Sequence, residues 1–192
     1  MPSIHSVAVY CSSSRDVARV YFDAAAALGD AIARQGWQLV YGGNDCGCMG
    51  ALAGAARNAG GKVIGITPQR LVDEGIADEK CDELLVTQGM RERKALMEEK
   101  ADAFITLPGG LGTLEEILEI LVGSFLGFHA KPIVLLNIAG FYDPLLAMID
   151  HGIEQRFIRP RAREMLHVCA TVRQAIDCLR ATDLDSPPSV IA

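Results

Sequence analysis

Short runs of valine, isoleucine and leucine alternate with longer segments of helical periodicity along most of the 192-residue chain. The apolar runs are nearly continuous, which is typical of parallel strands that are covered on both faces. Strands that alternate with helices at this spacing predict a doubly wound α/β fold, with helices on both faces of one parallel sheet. This pattern constrains the architecture more than any other feature of the sequence.

The pattern divides the chain into elements without a linker or an internal repeat. Strands are predicted at 6–11, 37–43, 62–67, 83–87, 102–107 and 131–137, with a seventh candidate at 165–169. Helices are predicted at 19–36, 49–61, 90–101, 114–127, 143–157 and 172–182, and a loop at 68–82. Residues 1–181 are therefore expected to form a single domain, and residues 182–192 a mobile C-terminal tail.

Composition and charge exclude several classes of partner. Half of the residues are hydrophobic, and the net charge of −6 argues against a nucleic-acid partner, which favours a basic face. No lysine and arginine cluster suits an acidic membrane, and no apolar run approaches the roughly 20 residues of a membrane span. The N-terminus lacks the features of a signal peptide. We therefore expect a cytoplasmic protein that binds neither nucleic acid nor membrane.

The six cysteines do not form a framework of close pairs. Cys46 and Cys48 are separated by one residue, whereas zinc hairpins usually have two to four between their ligands. We interpret the cysteines as reduced structural residues and expect no metal, with metal or redox use as the alternative.

Ligands of doubly wound sheets bind beyond the carboxyl ends of the strands. The loop at 108–113, PGGLGT, follows a predicted strand and precedes a helix. Its glycines allow backbone N–H groups to approach an anion, and the helix N-terminus adds positive potential. It is neither a Walker A loop nor a GxGxxG loop. A tight turn is the alternative, in which Thr113 and Glu116 form a purely structural capping box.

Two further segments could face the same crevice. The turn YGGNDCGCMG at 41–50 is a second glycine-rich connection, for which close helix–strand packing is the alternative interpretation. In MRERKALM, helical spacing aligns Met90, Arg93, Lys94 and Met97 on one face. Arg93 could bind phosphate with its planar guanidinium and Lys94 as a point charge. Alternatively this face is solvated, and Lys94 pairs with Glu98.

Taken together, YGG…GCMG, MRERKALM and PGGLGTLEE resemble the LONELY GUY family of cytokinin-activating phosphoribohydrolases, over residues from about 7 to about 137. The resemblance implies a Rossmann-like fold that hydrolyses the N-glycosidic bond of a nucleoside 5′-monophosphate, releasing free base and ribose 5-phosphate. It also implies that no cofactor is needed, and that the protein is a homodimer or larger homo-oligomer with its site near the subunit interface.

The family's functional positions transfer to this chain through the matching motifs. The resemblance assigns Arg93 and Glu116 as the catalytic pair. Glu116 would stabilise the oxocarbenium-like transition state, attack as a nucleophile or activate water. The implied substrate-binding residues are Ser13, Gly43, Glu74, Met90, Arg93, Lys94, Gly109, Gly110, Leu111, Gly112, Thr113, Leu114 and Glu115. Glu74 is placed only to within one residue.

The chain departs from the family pattern at three places. Asn44 stands where the family has a third glycine after the second strand, and Ser12 stands within the family's usual C-G-S-S. Val122 and Gly123 replace a threonine–tryptophan pair, which would enlarge or reshape the pocket around the base. The preferred base is therefore open between prenylated adenine, adenine and another purine.

Two other functions are alternatives to the hydrolase. Related Rossmann-like proteins carry a pterin cofactor on similar glycine loops, so a non-catalytic nucleotide or pterin carrier is the main alternative. A carrier has no need of Arg93 and Glu116, which favours an enzyme. An amino-acid decarboxylase would need a pyridoxal-binding lysine, and no recognisable motif for one is present.

Overall fold

A computed structural model describes residues 4–182. Seven parallel strands form one sheet in the order β4-β3-β2-β1-β5-β6-β7. They are β1 Ser6–Tyr10, β2 Gln38–Tyr41, β3 Val63–Pro68, β4 Glu83–Thr87, β5 Ala103–Thr106, β6 Ile133–Leu136 and β7 Leu166–Cys169. The doubly wound α/β prediction is confirmed, including the candidate seventh strand.

Helices connect the strands and cover both faces of the sheet. They are α1 Arg19–Arg34, α2 Gly47–Asn58, α3 Gln69–Asp73, α4 Met90–Lys100, α5 Leu111–Phe125, α6 Asp143–Glu154, α7 Pro160–Glu164 and α8 Val172–Ala181. The helices α3 and α7 were not predicted, because five residues give little more than one turn and no readable periodicity. The segment at 68–82 is therefore not entirely a loop.

The central strand β1 separates two hydrophobic cores. Val7 and Val9 pack in the core beneath α1, α2 and α8, whereas Ala8 and Tyr10 pack in the core beneath α4, α5 and α6. Successive residues of a strand point to opposite faces, so a continuous apolar run is what a strand buried on both sides requires. All five residues of β1 are buried.

The strand order reverses at β1. From β1 the chain builds outwards through β2 and β3 to β4, and from β5 it builds in the other direction through β6 to β7. The loops that follow β1 and β5 therefore diverge, and they open a crevice at the carboxyl edge of the sheet, where ligands of such sheets bind.

The start of α5 differs from the prediction. The helix begins at Leu111, its N-cap is Gly110, and no side chain caps it. The capping box of Thr113 and Glu116, which was the alternative interpretation of this loop, does not form, since both residues lie inside the helix. A capping box does occur at α8, between Thr171 and Gln174.

The predicted C-terminal tail at 182–192 lies outside the described residues except for Thr182. Among the helices described between residues 4 and 182, none is both long and apolar enough to cross a bilayer.

Candidate active site

A cavity of about 420 Å³ opens at the crevice beside β1 and β5. Such a volume lies within the range of small-molecule sites. The residues that line it come from the loops after β1, β2 and β5 and from α2, α3, α4 and α5. They are Cys11, Ser12, Ser13, Ser14, Asn44, Met49, Leu71, Met90, Arg93, Gly110, Gly112, Thr113 and Glu116.

The amino end of α5 forms one wall of the cavity. Because no side chain caps this helix, its first N–H groups are available to a ligand. A Cβ atom added at Gly110 or Gly112 would meet nothing within 4 Å, so both glycines border open space. The first turn of α5 carries no acidic residue. These features suit the binding of an anion such as a phosphate.

Arg93 and Glu116 form a buried ion pair in the cavity wall. The Nη1 atom of Arg93 lies 3.0 Å from Oε1 of Glu116, and the two side chains are only 5% and 6% exposed. Arg93 also donates from Nε to the carbonyl oxygen of Ile66 over 2.9 Å. The guanidinium therefore has a fixed orientation, and it binds one oxygen of the carboxylate.

The environment of Glu116 shifts its acidity. Burial raises the pKa of this carboxyl, and the charge and hydrogen bond of Arg93 oppose that rise without cancelling it. A carboxyl with a raised pKa inside a cavity is a common property of catalytic acids and bases.

Glycines hold the opposite wall close to the ion pair. A Cβ atom at Gly42, just after β2, would overlap Nη2 of Arg93. A Cβ atom at Gly47 would overlap the backbone of Ser13, and Gly47 has a φ of +61°. The close packing proposed as an alternative for the 41–50 turn is therefore present, and that same turn borders the cavity.

The structure brings together only part of the predicted site. Seven residues of the predicted set line the cavity: Ser13, Met90, Arg93, Gly110, Gly112, Thr113 and Glu116. Gly43 forms the turn after β2, with a φ of +72°. Gly109 lies beneath Thr113, where any Cβ atom would overlap the threonine side chain.

The remaining predicted residues point elsewhere. Leu111 is 86% exposed, and Leu114 packs against the core beneath α5. Glu74 is exposed and pairs with Arg70. Lys94 does not pair with Glu98 but contacts two carboxylates of α5, those of Glu115 and Glu119, each over 2.7 Å.

Six cavity residues lie outside the predicted set: Cys11, Ser12, Ser14, Asn44, Met49 and Leu71. Cys11, Ser12 and Ser14 lie just after β1, and Asn44 lies in the turn after β2. A position beyond the carboxyl end of a strand is the signal that could have identified them. Leu71 lies on α3, in a segment that was predicted as a loop. Within residues 4–182, no group of three or more His, Cys, Asp or Glu side chains is arranged to hold a metal ion.

Comparison with known proteins gives the family. A family model described as "Possible lysine decarboxylase" matches residues 49–179. A probable cytokinin riboside 5′-monophosphate phosphoribohydrolase of Oryza sativa is 43% identical over 173 residues, which are 90% of this chain and 71% of that protein. The chain belongs to the LONELY GUY family. The phosphoribohydrolases of Mycobacterium tuberculosis and Rhodococcoides fascians are each 44% identical to it, over 89% and 94% of this chain and 91% of each of those proteins.

Solved structures share the fold. The molybdenum cofactor binding protein of Rippkaea orientalis has a TM-score of 0.72 at 23% identity and covers 94% of this chain and 98% of its own. The molybdenum cofactor carrier protein of Chlamydomonas reinhardtii has a TM-score of 0.68 at 25% identity, over 91% and 95% of the two chains. This chain and these two molybdenum cofactor proteins therefore share the same Rossmann-like fold.

The decarboxylase description of the LONELY GUY family model finds no support in the cavity. A Schiff-base lysine needs a free amine and a lowered pKa. Among the described residues that line the cavity, none is a lysine. Lys94 lies beside the site, but hydrogen bonds to Glu115 and Glu119 raise its pKa.

Proposed function

We propose that this protein hydrolyses the N-glycosidic bond of purine nucleoside 5′-monophosphates, including N6-prenylated adenine nucleotides. The products are the free base, a cytokinin when the base is prenylated, and ribose 5-phosphate. The observation that carries the proposal is the Arg93–Glu116 pair, buried in a cavity beside an uncapped helix N-terminus. Relatives 43–44% identical over most of the chain are named as phosphoribohydrolases of this kind.

The two ends of the substrate fit different parts of the cavity. The amino end of α5, with Gly110, Gly112 and Thr113, suits the 5′-phosphate, because backbone N–H groups and the helix dipole attract an anion. Glu116 lies on the same helix, between one and two turns further along. Binding of the phosphate at the helix N-terminus thus positions the ribose beside the carboxylate of Glu116.

The chemistry follows from that placement. Cleavage of an N-glycosidic bond develops positive charge on the ribose ring, and a carboxylate beside C1′ stabilises that charge. Arg93 binds one oxygen of Glu116 and leaves the other for the substrate. A water oxygen forms the new bond to C1′, while the electron pair of the C1′–N bond leaves with the base. The water gives up a proton, and the departing base nitrogen gains one.

Lys94 has a supporting role in this proposal. Its side chain is 11% exposed, and its ammonium group links α4 to α5 through Glu115 and Glu119. Arg93 and Glu116 lie on the same two helices. The three-residue bridge therefore fixes the spacing between the helices that carry the catalytic pair, and no cofactor is required for the step.

We also propose that two copies associate through the outer face of α5. Large apolar side chains are exposed there and on the neighbouring segment between α6 and α7: Leu118, Val122, Leu126 and Phe157. They border a groove of about 440 Å³. A contiguous apolar surface of this kind marks an interaction site. Because α5 carries Glu116 on its inner face, a partner on the outer face would place the active site near the interface.

A cytoplasmic location is part of the proposal. All six cysteines are free, at Cys11, Cys46, Cys48, Cys81, Cys169 and Cys178. Free thiols are usual in a reducing compartment.

A non-catalytic carrier is the second candidate, because carrier proteins for the molybdenum cofactor share the fold at 25% identity. A carrier would bind its ligand at the same glycine loop. It would not need a buried carboxylate with a raised pKa, and that observation favours the hydrolase.

One assay distinguishes the two. The purified protein is incubated with AMP and with N6-isopentenyl-AMP, and free base and ribose 5-phosphate are measured by chromatography. Equimolar release of both products supports the hydrolase. Tight nucleotide binding without release of base from either nucleotide would establish a carrier and exclude the hydrolase.

A further inference from the structure

Asn44 has an unusual environment for a polar side chain. It is 7% exposed, and its carboxamide oxygen is buried without a hydrogen-bond partner among residues 4–182. An unpaired buried polar group costs free energy, so native proteins rarely keep one without a reason. Asn44 lines the cavity that contains Arg93 and Glu116.

The fold does not need an asparagine at this position. The turn after β2 depends on Gly43, whose φ is +72°, whereas Asn44 has no positive φ. The backbone there is fixed independently of the side chain. Asn44 pairs with Ala77 in an isolated bridge, and the carbonyl of Gly43 accepts a hydrogen bond from the N–H of Asp78 over 2.7 Å. The backbone at Asn44 is thus held in place, but within the described part of the chain the carboxamide oxygen makes no hydrogen bond that supports the fold.

The location of Asn44 identifies the part of the substrate that it can reach. It lies two residues after Gly42, against which Met49 and the guanidinium of Arg93 pack. It lines the cavity together with the apolar side chains of Met49 and Leu71. With the phosphate at the amino end of α5 and the ribose at Glu116, the part of the cavity that remains for the nucleobase is the part lined by these residues.

We propose that Asn44 is a specificity-determining residue whose carboxamide hydrogen-bonds to the amino edge of an adenine base. The oxygen accepts one hydrogen bond from the exocyclic amine. Rotation about the last side-chain bond exchanges the oxygen and the NH₂ group, so the buried oxygen can turn to the cavity. A singly prenylated amine keeps one N–H and fits the same contact. The inference rests on the proposed function.

Substrate analogues test the contact. The value of kcat/KM is measured for AMP, for purine riboside 5′-monophosphate, which lacks the amine, and for 2′-deoxyAMP. The enzymes are the natural protein, Asn44→Gly and Asn58→Gly, which makes the same change at the exposed end of α2. Asn44→Gly should lower kcat/KM for AMP and 2′-deoxyAMP about tenfold, the effect of one lost hydrogen bond, and leave purine riboside 5′-monophosphate within about twofold. Asn58→Gly should not change the ratio between substrates.

Other outcomes overturn the inference. An equal fall with AMP and purine riboside 5′-monophosphate, or no fall at all, would show that Asn44 does not contact the amine. A loss confined to the substrates that carry a 2′-hydroxyl would assign the contact to the ribose. If the natural protein releases no base from any nucleotide, the proposed function fails. The calorimetric affinities of AMP and purine riboside 5′-monophosphate then test Asn44 on their own, since Asn44→Gly should weaken only AMP.

Discussion

The guanidinium of Arg93 fills the space that a side chain at Gly42 would need. The guanidinium of Arg93 lies against the backbone of Gly42, at the position where a side chain on residue 42 would begin. A glycine at the end of β2 is therefore a condition for the geometry of the Arg93–Glu116 pair, which forms on the other side of the same guanidinium.

Gly42→Ala should impair catalysis without preventing folding. The φ of Gly42 is not positive, so alanine is compatible with the backbone, but its methyl group would displace the guanidinium from Glu116. A displacement of about 1 Å in a catalytic group costs on the order of a hundredfold in rate. We expect kcat/KM for AMP to fall by about that factor, while circular dichroism retains the folded spectrum.

Gly54→Ala is the matched control for Gly42→Ala. A Cβ atom at Gly54, inside α2, would meet nothing within 4 Å. Alanine is favoured over glycine in a helix by about 0.5–1 kcal/mol, so this variant should be slightly more stable and fully active. If Gly42→Ala is as active as Gly54→Ala, the position of Arg93 does not control the reaction.

Glu116→Gln should abolish turnover but leave the fold intact. Glutamine fills the same volume and can still accept a hydrogen bond from Arg93, but it cannot stabilise a positive ribose or activate water. We expect kcat to fall at least about a hundredfold, which is the usual effect of removing one catalytic electrostatic group. The measurement is kcat for AMP alongside thermal unfolding.

The same change on an exposed helix face controls for the loss of charge. Glu99, on α4, is exposed, and Glu99→Gln should leave both kcat and the melting temperature nearly unchanged. A Glu116→Gln protein that unfolds while keeping full activity per folded molecule would make Glu116 a structural residue.

The acid side of the pH–rate profile should report Glu116. Burial raises its pKa, and Arg93 opposes the rise, so Arg93→Gln should raise the pKa further. If the carboxylate is the active form, kcat/KM falls as pH drops below this pKa, and the acid limb of Arg93→Gln lies at higher pH. A limb that moves to lower pH or does not move in Arg93→Gln would contradict this assignment.

Stability should depend on pH in the corresponding direction. A carboxyl whose pKa is raised in the folded state favours folding fully below its unfolded pKa and loses that contribution as pH rises through its folded pKa. The free energy of unfolding of the natural protein, minus that of Glu116→Gln, should therefore decrease across that interval. Chemical denaturation at a series of pH values measures it.

The sequence was sufficient to predict the sheet and to place Arg93 and Glu116 at one site, for a physical reason. Parallel strands buried on both faces leave continuous apolar runs, and the loops that follow them carry the ligand contacts. Arg93 and Glu116 were found through motifs that lie on such loops and on the helices after them. Their burial and 3.0 Å contact required the structure.

The predictions from the sequence were wrong where tertiary contacts override local sequence patterns. The spacing of Thr113 and Glu116 matches a capping box. The helix nevertheless begins two residues before Thr113, at Leu111, and Thr113 packs closely on Gly109. Lys94 could pair with Glu98 within its own helix, yet the carboxylates of α5 are nearer. Leu71 was missed because a one-turn helix leaves no periodic signal.

Asp78→Asn should destabilise the protein more than the same substitution at an exposed ion pair. The carboxylate of Asp78 is buried, binds Arg57 over 2.6 Å and accepts from the hydroxyl of Tyr41 over 2.8 Å. Breaking a buried pair leaves an uncompensated charge and costs about 3–5 kcal/mol, and the 23% exposure of Arg57 favours the lower end. Asp30→Asn, at an exposed pair with Arg34, should have little effect on stability, because solvent screens exposed ion pairs. Equal midpoints in urea for the two variants would contradict the comparison.

Val122→Glu should disrupt the proposed association of two copies. Val122 is 53% exposed on the outer face of α5, beside Leu118 and Leu126, and a carboxylate there would have to be desolvated at an apolar interface. We expect the mass measured by light scattering to fall from that of a dimer to the 20.6 kDa of one chain. Val20→Glu is the control, because Val20 is 44% exposed on α1, away from this groove.

Activity of the Val122→Glu protein then tests whether the interface matters to the site. Glu116 lies on the inner face of the helix that carries Val122 on its outer face, so loss of the partner would free α5 to shift. We expect kcat/KM for AMP to fall with the dimer fraction and to recover at protein concentrations that restore the dimer. A Val122→Glu protein that remains dimeric would place the interface elsewhere. One that is monomeric and fully active would show that a single chain holds the complete site.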